Sequence, residues 1–98
     1  MELHYDSDRI YINNPVTGLP DAEIFFPEGS DGIHNITHTI VDKSLQGHGV
    51  AGLLTLAAAE HLRAQGKKTR LTCSYAVKWF SNHPEYNDIV ENSDADEK

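Results

Sequence analysis

Residues 45–54 read LQGHGVAGLL and place Gly47, Gly49, Ala51 and Gly52 where a helix should begin. Glycine inside a helix costs about 1 kcal/mol relative to alanine, so three of them in six residues need a compensating use. Close approach is such a use. Bare backbone N–H groups at a helix N-terminus can point at an anion, and the helix dipole favours the negative charge. The stretch reads as a cradle for a pyrophosphate, and it limits the fold to one that delivers a strand end to a helix start.

Two familiar phosphate loops do not fit. The lysine and hydroxyl that close a Walker loop are missing, and GHGVAG matches the dinucleotide pattern GxGxxG only by spacing. A dinucleotide fold would put an acidic residue about 20 positions further on. Arg70 stands near that place. The frame that fits is QxxGxA, from Gln46 to Ala51, directly after the strand-like run 36–41. With that frame the chain resembles the GNAT superfamily of N-acetyltransferases, whose acetyl-CoA loop reads [QR]xxGx[GA] after a central strand. ITHTIVDKSLQGHGVAGLL followed by CSYAVKWFSNHPEY resembles in particular the small single-domain branch that lacks the usual N-terminal helices. These segments fall within residues 35–86.

Composition agrees with one small domain. A chain of 98 residues leaves no room for a second core. Cys73 is the sole cysteine, so no intramolecular disulfide forms, and a reducing compartment is expected. The opening MELHYDSDR has no signal-peptide pattern, and no apolar run approaches the roughly 20 residues of a membrane span, so the expected location is the cytoplasm, with no membrane partner. A net charge of -7 argues against nucleic acid and favours cationic partners. Coenzyme A is itself an anion, so an acidic protein must hold it with local N–H groups and dipoles.

The fold class expected is α/β with mixed α+β character. Antiparallel N-terminal strands (residues 2–12 and 22–26, separated by the turn cluster NNPVTGLP) lead into a central βαβ unit. Its first strand spans 33–41, with His34, Ile36, His38 and Ile40 on one face and Asn35, Thr37, Thr39 and Val41 on the other. The helix spans about 46–65 and stops at Gly66, with Val50, Leu53, Leu54, Ala57, His61 and Leu62 as its apolar stripe and Thr55 on the wetter side. A parallel strand follows at 67–73, then a short helix opened by Ser74 and stopped by Pro84, then a short strand at 86–90. The domain is expected to cover 1–90. Residues 91–98, ENSDADEK, form an acidic tail without an apolar anchor and are expected to be disordered.

The resemblance implies acetyl-CoA as cosubstrate, an amine acceptor (a small molecule or a protein amine), and direct transfer between them. It places the pyrophosphate on Gln46, Gly47, His48, Gly49, Val50, Ala51 and Gly52. The pantetheine arm falls on the backbone of Thr39, Ile40 and Val41, and Cys73 close to the sulfur. Where many relatives carry AxxΦY with a tyrosine that protonates the thiolate, this chain reads Ala76, Val77, Lys78, Trp79, Phe80, and phenylalanine cannot donate a proton. The catalytic candidates are therefore Cys73 and His38. A thiol can donate a proton, carry an acyl group or simply pack. His38 can act as a base toward the amine, or can sit as a hydrogen-bonded core histidine. No metal is expected, since His34 and His38 on one strand would lie about 13 Å apart. His48 contributes through its backbone, His83 marks a helix stop, and Trp79 and Phe80 read as core. An alternative keeps the fold but makes the protein a CoA-binding or partner-binding module without turnover.

Overall fold

The computed structural model describes residues 2–91. The expected acidic tail lies outside these residues apart from Glu91, whose backbone N–H donates to the Thr69 carbonyl (2.8 Å). Three N-terminal strands, β1 (His4–Tyr5), β2 (Arg9–Asn13) and β3 (Pro20–Phe25), pair antiparallel in chain order. The turn between β2 and β3 is held by Asn14, whose side-chain oxygen accepts from the N–H groups of Val16 and Thr17.

The run 33–41 is not one strand. It forms β4 (His34–Ile36) and β5 (His38–Val41), which belong to different sheets. β5 continues the antiparallel sheet on β3, and β4 pairs in parallel with β6 (Thr69–Leu71). Phe25 lies opposite His38 while Glu28 lies opposite His34, so three steps on one side face four on the other. One extra residue is therefore inserted at Thr37–His38, a β-bulge. The Thr37 N–H still reaches the Phe25 carbonyl at 3.1 Å. A bulge reverses the alternation of faces, which corrects the expectation that His34, Ile36, His38 and Ile40 share one. His34 and Ile36 are buried, His38 and Ile40 are exposed, and Thr39 and Val41 are the residues of β5 that are partly covered.

Helix α1 (Val50–Ala64) crosses β2, β3 and β5. It starts four residues later than expected, because Gly47 (φ 84°) and Gly49 (φ 74°) adopt left-handed backbone that no right-handed helix includes. It stops at Gly66, also left-handed, as expected. The buried stripe is Val50, Leu54, Thr55, Ala58, Ala59 and Leu62, rotated from the expected one. Leu53 is exposed, and Thr55 is fully buried because its hydroxyl satisfies the Ala51 carbonyl (2.7 Å). Ile10, Ile24, Phe26, Ile36, Leu54 and Leu62 form the centre of the core, each contributing about 1.5–3 kcal/mol by burial.

Helix α2 (Ser74–Ser81) follows β6 and buries Ala76, Trp79 and Phe80, the latter two as core residues. The expected strand at 86–90 is instead a 3-10 helix, Pro84–Ile89, and only Val90 makes a strand-like bridge, to Thr69. Proline at its start presets a helical φ, and Tyr86 and Ile89, three apart, bury the one edge that a three-residue period aligns. Among the described residues no helix is long and apolar enough to cross a membrane.

Candidate active site

The site begins where two parallel strands part. β4 and β6 are paired as far as Ile36 and Leu71. The Ile36 carbonyl then accepts from both Thr72 N–H and Cys73 N–H, each at 3.0 Å. Beyond this point β5 turns to β3 while the other chain turns into α2. Thr72 Oγ1, 2.8 Å from Asn35 Oδ1, latches the two sides just before they separate. Cys73 Sγ lies 3.7 Å from Thr39 Oγ1 across the opening.

One edge of β5 is left facing that opening. Asp42 N–H donates to the Asp21 carbonyl; by antiparallel alternation His38 and Ile40 also bond toward β3, and Thr39 and Val41 direct their backbone groups away from it. The Val41 carbonyl accepts from Gln46 Nε2 (3.1 Å), which ties the start of the glycine loop to the end of the strand.

A 3-10 turn (Lys43–Leu45) leads into the loop and is capped by Asp42, whose carboxylate accepts from Ser44 N–H (3.0 Å) and Ser44 Oγ (2.7 Å). These bonds, the backbone one foremost, hold the Asp42 carboxyl below the usual carboxylate range. From Gly47 to Gly52 no backbone N–H donates to a group of the described residues; the first helical bond is Leu53 N–H to the Gly49 carbonyl, 3.0 Å. The first four N–H groups of a helix, here those of the cap Gly49 and of Val50, Ala51 and Gly52, are free in any protein, and the loop adds those of Gly47 and His48. A hollow of about 150 Å³ opens in front of them, walled by Val41, Gln46, Ala51, Gly52 and Tyr75.

The glycines serve different ends. Gly47 and Gly49 are dictated by positive φ, and a Cβ on either would meet nothing within 4 Å. Gly52 has ordinary helical φ, but its Cβ would stand 3.3 Å from Tyr75 Oη, so glycine here lets the tyrosine lie across the helix start. Tyr75 was legible only as bulk. Its signal is its place two residues after Cys73, on the first turn of α2, where its hydroxyl makes no hydrogen bond to the described residues.

His38 stands on the other face of β5 and is not brought to Cys73. Its Nδ1 lies 3.0 Å from Thr37 Oγ1 and its ring meets Phe25 edge-on. It borders an open shelf of about 290 Å³ with Asp8, Phe25, Pro27, Thr37 and Ile40. His48 is exposed, and its ring is not part of the hollow. His34 is buried against the Phe26 carbonyl (2.7 Å), and His83 stacks on Trp79 with Nδ1 on the Trp79 carbonyl. Among the described residues no three His, Cys, Asp or Glu side chains gather to hold a metal ion.

The model of the GCN5-related N-acetyltransferase family matches residues 9–89. The chain belongs to that family. A GCN5-like putative N-acetyltransferase from Staphylococcus aureus, solved by NMR, superposes with TM-score 0.73 at 28% identity over 93% of this chain and 88% of its own. An acetyltransferase from Trypanosoma brucei (TM-score 0.55, 18% identity, 76% of this chain and 58% of that one) shares the fold. So does glucosamine-6-phosphate N-acetyltransferase from Arabidopsis thaliana (TM-score 0.52, 16% identity, 81% and 57%). No curated protein sequence matches the chain. The expected mixed α/β architecture and GNAT membership are borne out, and the general activity that goes with them is acetyl transfer to nitrogen.

Proposed function

We propose that this GNAT protein transfers an acetyl group directly from acetyl-CoA to an amine. The observation that carries the proposal is the run of N–H groups from Gly47 to Gly52 that donate to nothing among the described residues, beside the opening where β5 leaves the β4–β6 pair. Free N–H groups at a helix start suit the pyrophosphate of an anionic cosubstrate on an acidic protein. From there the backbone groups that Thr39 and Val41 turn away from β3 offer partners to a pantetheine arm laid along the opening, with Ile40 between them bonded to β3 instead. The arm's far end brings the thioester to Cys73 and Thr39.

In the reaction the amine nitrogen attacks the thioester carbonyl carbon, the C–S bond breaks, the nitrogen loses a proton and the thiolate gains one. His38 is proposed to take the first proton. In the tautomer whose Nδ1–H donates to Thr37 Oγ1, the Nε2 lone pair remains for a substrate. Cys73 is proposed as donor to the thiolate or as wall of the thioester pocket, with no covalent acetyl-enzyme, because both substrates can meet in one complex. A module that binds CoA without turnover is favoured by one fact: Phe80, in the place of the usual acid, is buried in the core and cannot donate.

Native mass spectrometry of the purified protein with acetyl-CoA tests the binding, and steady-state turnover with an amine panel tests the transfer. Retention of a CoA-mass ligand with acetylated product is expected. Retention with no product from any amine would leave only the binding module, and no retention would remove both.

A further inference from the structure

The shelf beside His38 has a composition of its own. Phe25, Pro27 and Ile40 supply an apolar floor, with Ile40 53% exposed. At its rim stand His38 and Asp8. The Asp8 carbonyl accepts from Phe26 N–H, which fixes the backbone, while its carboxylate has no ion-pair partner among the described residues. Arg9 next to it is engaged elsewhere, with Asp6 and Glu23. Apolar surface ending in a free carboxylate suits an ammonium on a flexible methylene stem.

Its position links it to the reaction. The shelf includes Thr37 and His38, the two residues of the bulge. The parted strands open directly after Ile36. A group on the shelf lies on the face of β5 opposite the Cys73–Thr39 side, beside the segment where β5 leaves the β4–β6 pair. Its form also speaks to the size of the acceptor. A free metabolite is ordinarily recognised by enclosure on most sides. This surface is open and holds roughly one long side chain, so most of the acceptor must remain outside.

We infer, on the footing of the acetyl-transfer reading, that the acceptor is a lysine side chain presented by a protein or peptide, its stem on Phe25 and Ile40 and its ammonium at Asp8 before the proton passes to His38. The net charge of -7 acts in the same direction by drawing basic segments to the surface.

The test uses an end-blocked Gly-Lys-Gly tripeptide and spermidine as probes. Without acetyl-CoA, titration of isotope-labelled protein with the tripeptide is followed by amide chemical shifts. With acetyl-CoA, initial rates are measured for wild type, Asp8→Asn and Ile40→Lys, all changes at exposed positions. Shifts at Phe25, His38 and Ile40 are expected, together with a rise in peptide KM of about threefold in Asp8→Asn, the size of an exposed ion pair, and a larger rise in Ile40→Lys. The KM for acetyl-CoA should not move in Asp8→Asn. Shifts at the shelf without turnover would sink the transferase reading and keep the lysine site. Turnover with peptide KM unmoved in both variants, or spermidine preferred over the tripeptide, would overturn the lysine site while leaving the transferase. Absence of shelf shifts would overturn it in either case.

Discussion

Cys73 Sγ and Thr39 Oγ1 meet at 3.7 Å across a gap that opens just after Ile36 and Leu71, the last pair of β4 and β6. A thiol in that place is either a proton donor, an acyl carrier or a wall, and intact mass together with two variants separates these roles. Direct transfer predicts no stable acetyl adduct on intact mass after brief mixing with acetyl-CoA. If Cys73 is the donor, Cys73→Ala should lose about 10²-fold or more in turnover, with Cys73→Ser retaining part of it. A Cys73-dependent adduct that decays at the turnover rate would overturn direct transfer, and equal turnover in wild type and Cys73→Ala would leave Cys73 as packing.

Tyr75 lies over Gly52 with an unpartnered hydroxyl in the wall of the hollow. Tyr75→Phe is expected to weaken CoA binding roughly tenfold, the value of one hydrogen bond to a charged group. Binding of acetyl-pantetheine, which lacks the pyrophosphate, should be unchanged. Calorimetry with both ligands checks it, and equal losses for the two would assign the hydroxyl to the arm instead.

Gly49 separates strain from charge. Its φ of 74° makes any side chain unfavourable, so Gly49→Ala and Gly49→Glu should each cost about 1–2 kcal/mol of stability. Only the glutamate should abolish the rise in melting temperature produced by CoA, since its carboxylate would occupy the hollow and repel phosphate. A normal rise in Gly49→Glu would take the phosphate away from this loop.

Acid should loosen the turn that feeds the loop. The Asp42 carboxyl is lowered by bonds from Ser44 that exist only in the folded chain. A group with depressed folded pKa stabilises above its unfolded value, and the gain is lost as pH falls through the folded one. Asp31, held by Ile33 N–H and Arg70, and Asp88, held by Arg63, act with the same sign. Melting temperature should therefore vary little among these groups above about pH 5 and fall once pH drops below about 4. Asp42→Asn should reduce that fall, and an unchanged profile in the variant would show that this cap does not couple to folding.

The bare backbone of the loop was legible in the sequence because glycines mark it, and Cys73 stood out as the single cysteine at a strand end. The tie from Gln46 to the Val41 carbonyl was not legible, because it depends on how the loop folds back on β5. The bulge was not, because Thr37 and His38 suit regular strand as well as a bulge, and only the pairing of Glu28 with His34 reveals the extra residue. Thr55 looked solvent-facing because hydroxyl burial depends on a local partner, the Ala51 carbonyl, which composition does not show. Tyr86 and Ile89 fit a strand and a 3-10 helix equally well until Pro84 is seen to open a helical turn. Tyr75 owes its position to a contact with Gly52 from another element, which no local pattern records.

The extra residue at Thr37–His38 also bears on how this family can drift in length. A surface turn such as the one at Asn14 can gain or lose a residue and keep its flanking strands in phase with their own sheet. Loss of the extra residue at Thr37 would likewise keep both faces of β5: with Ile36 inward, His38 outward and Thr39 inward, the strand would alternate regularly and still hold Thr39 toward Cys73. A residue lost from β5 after His38 would instead turn Val41 outward and displace the glycine loop tied to its carbonyl. A change in length is therefore absorbed at the bulge and not along β5.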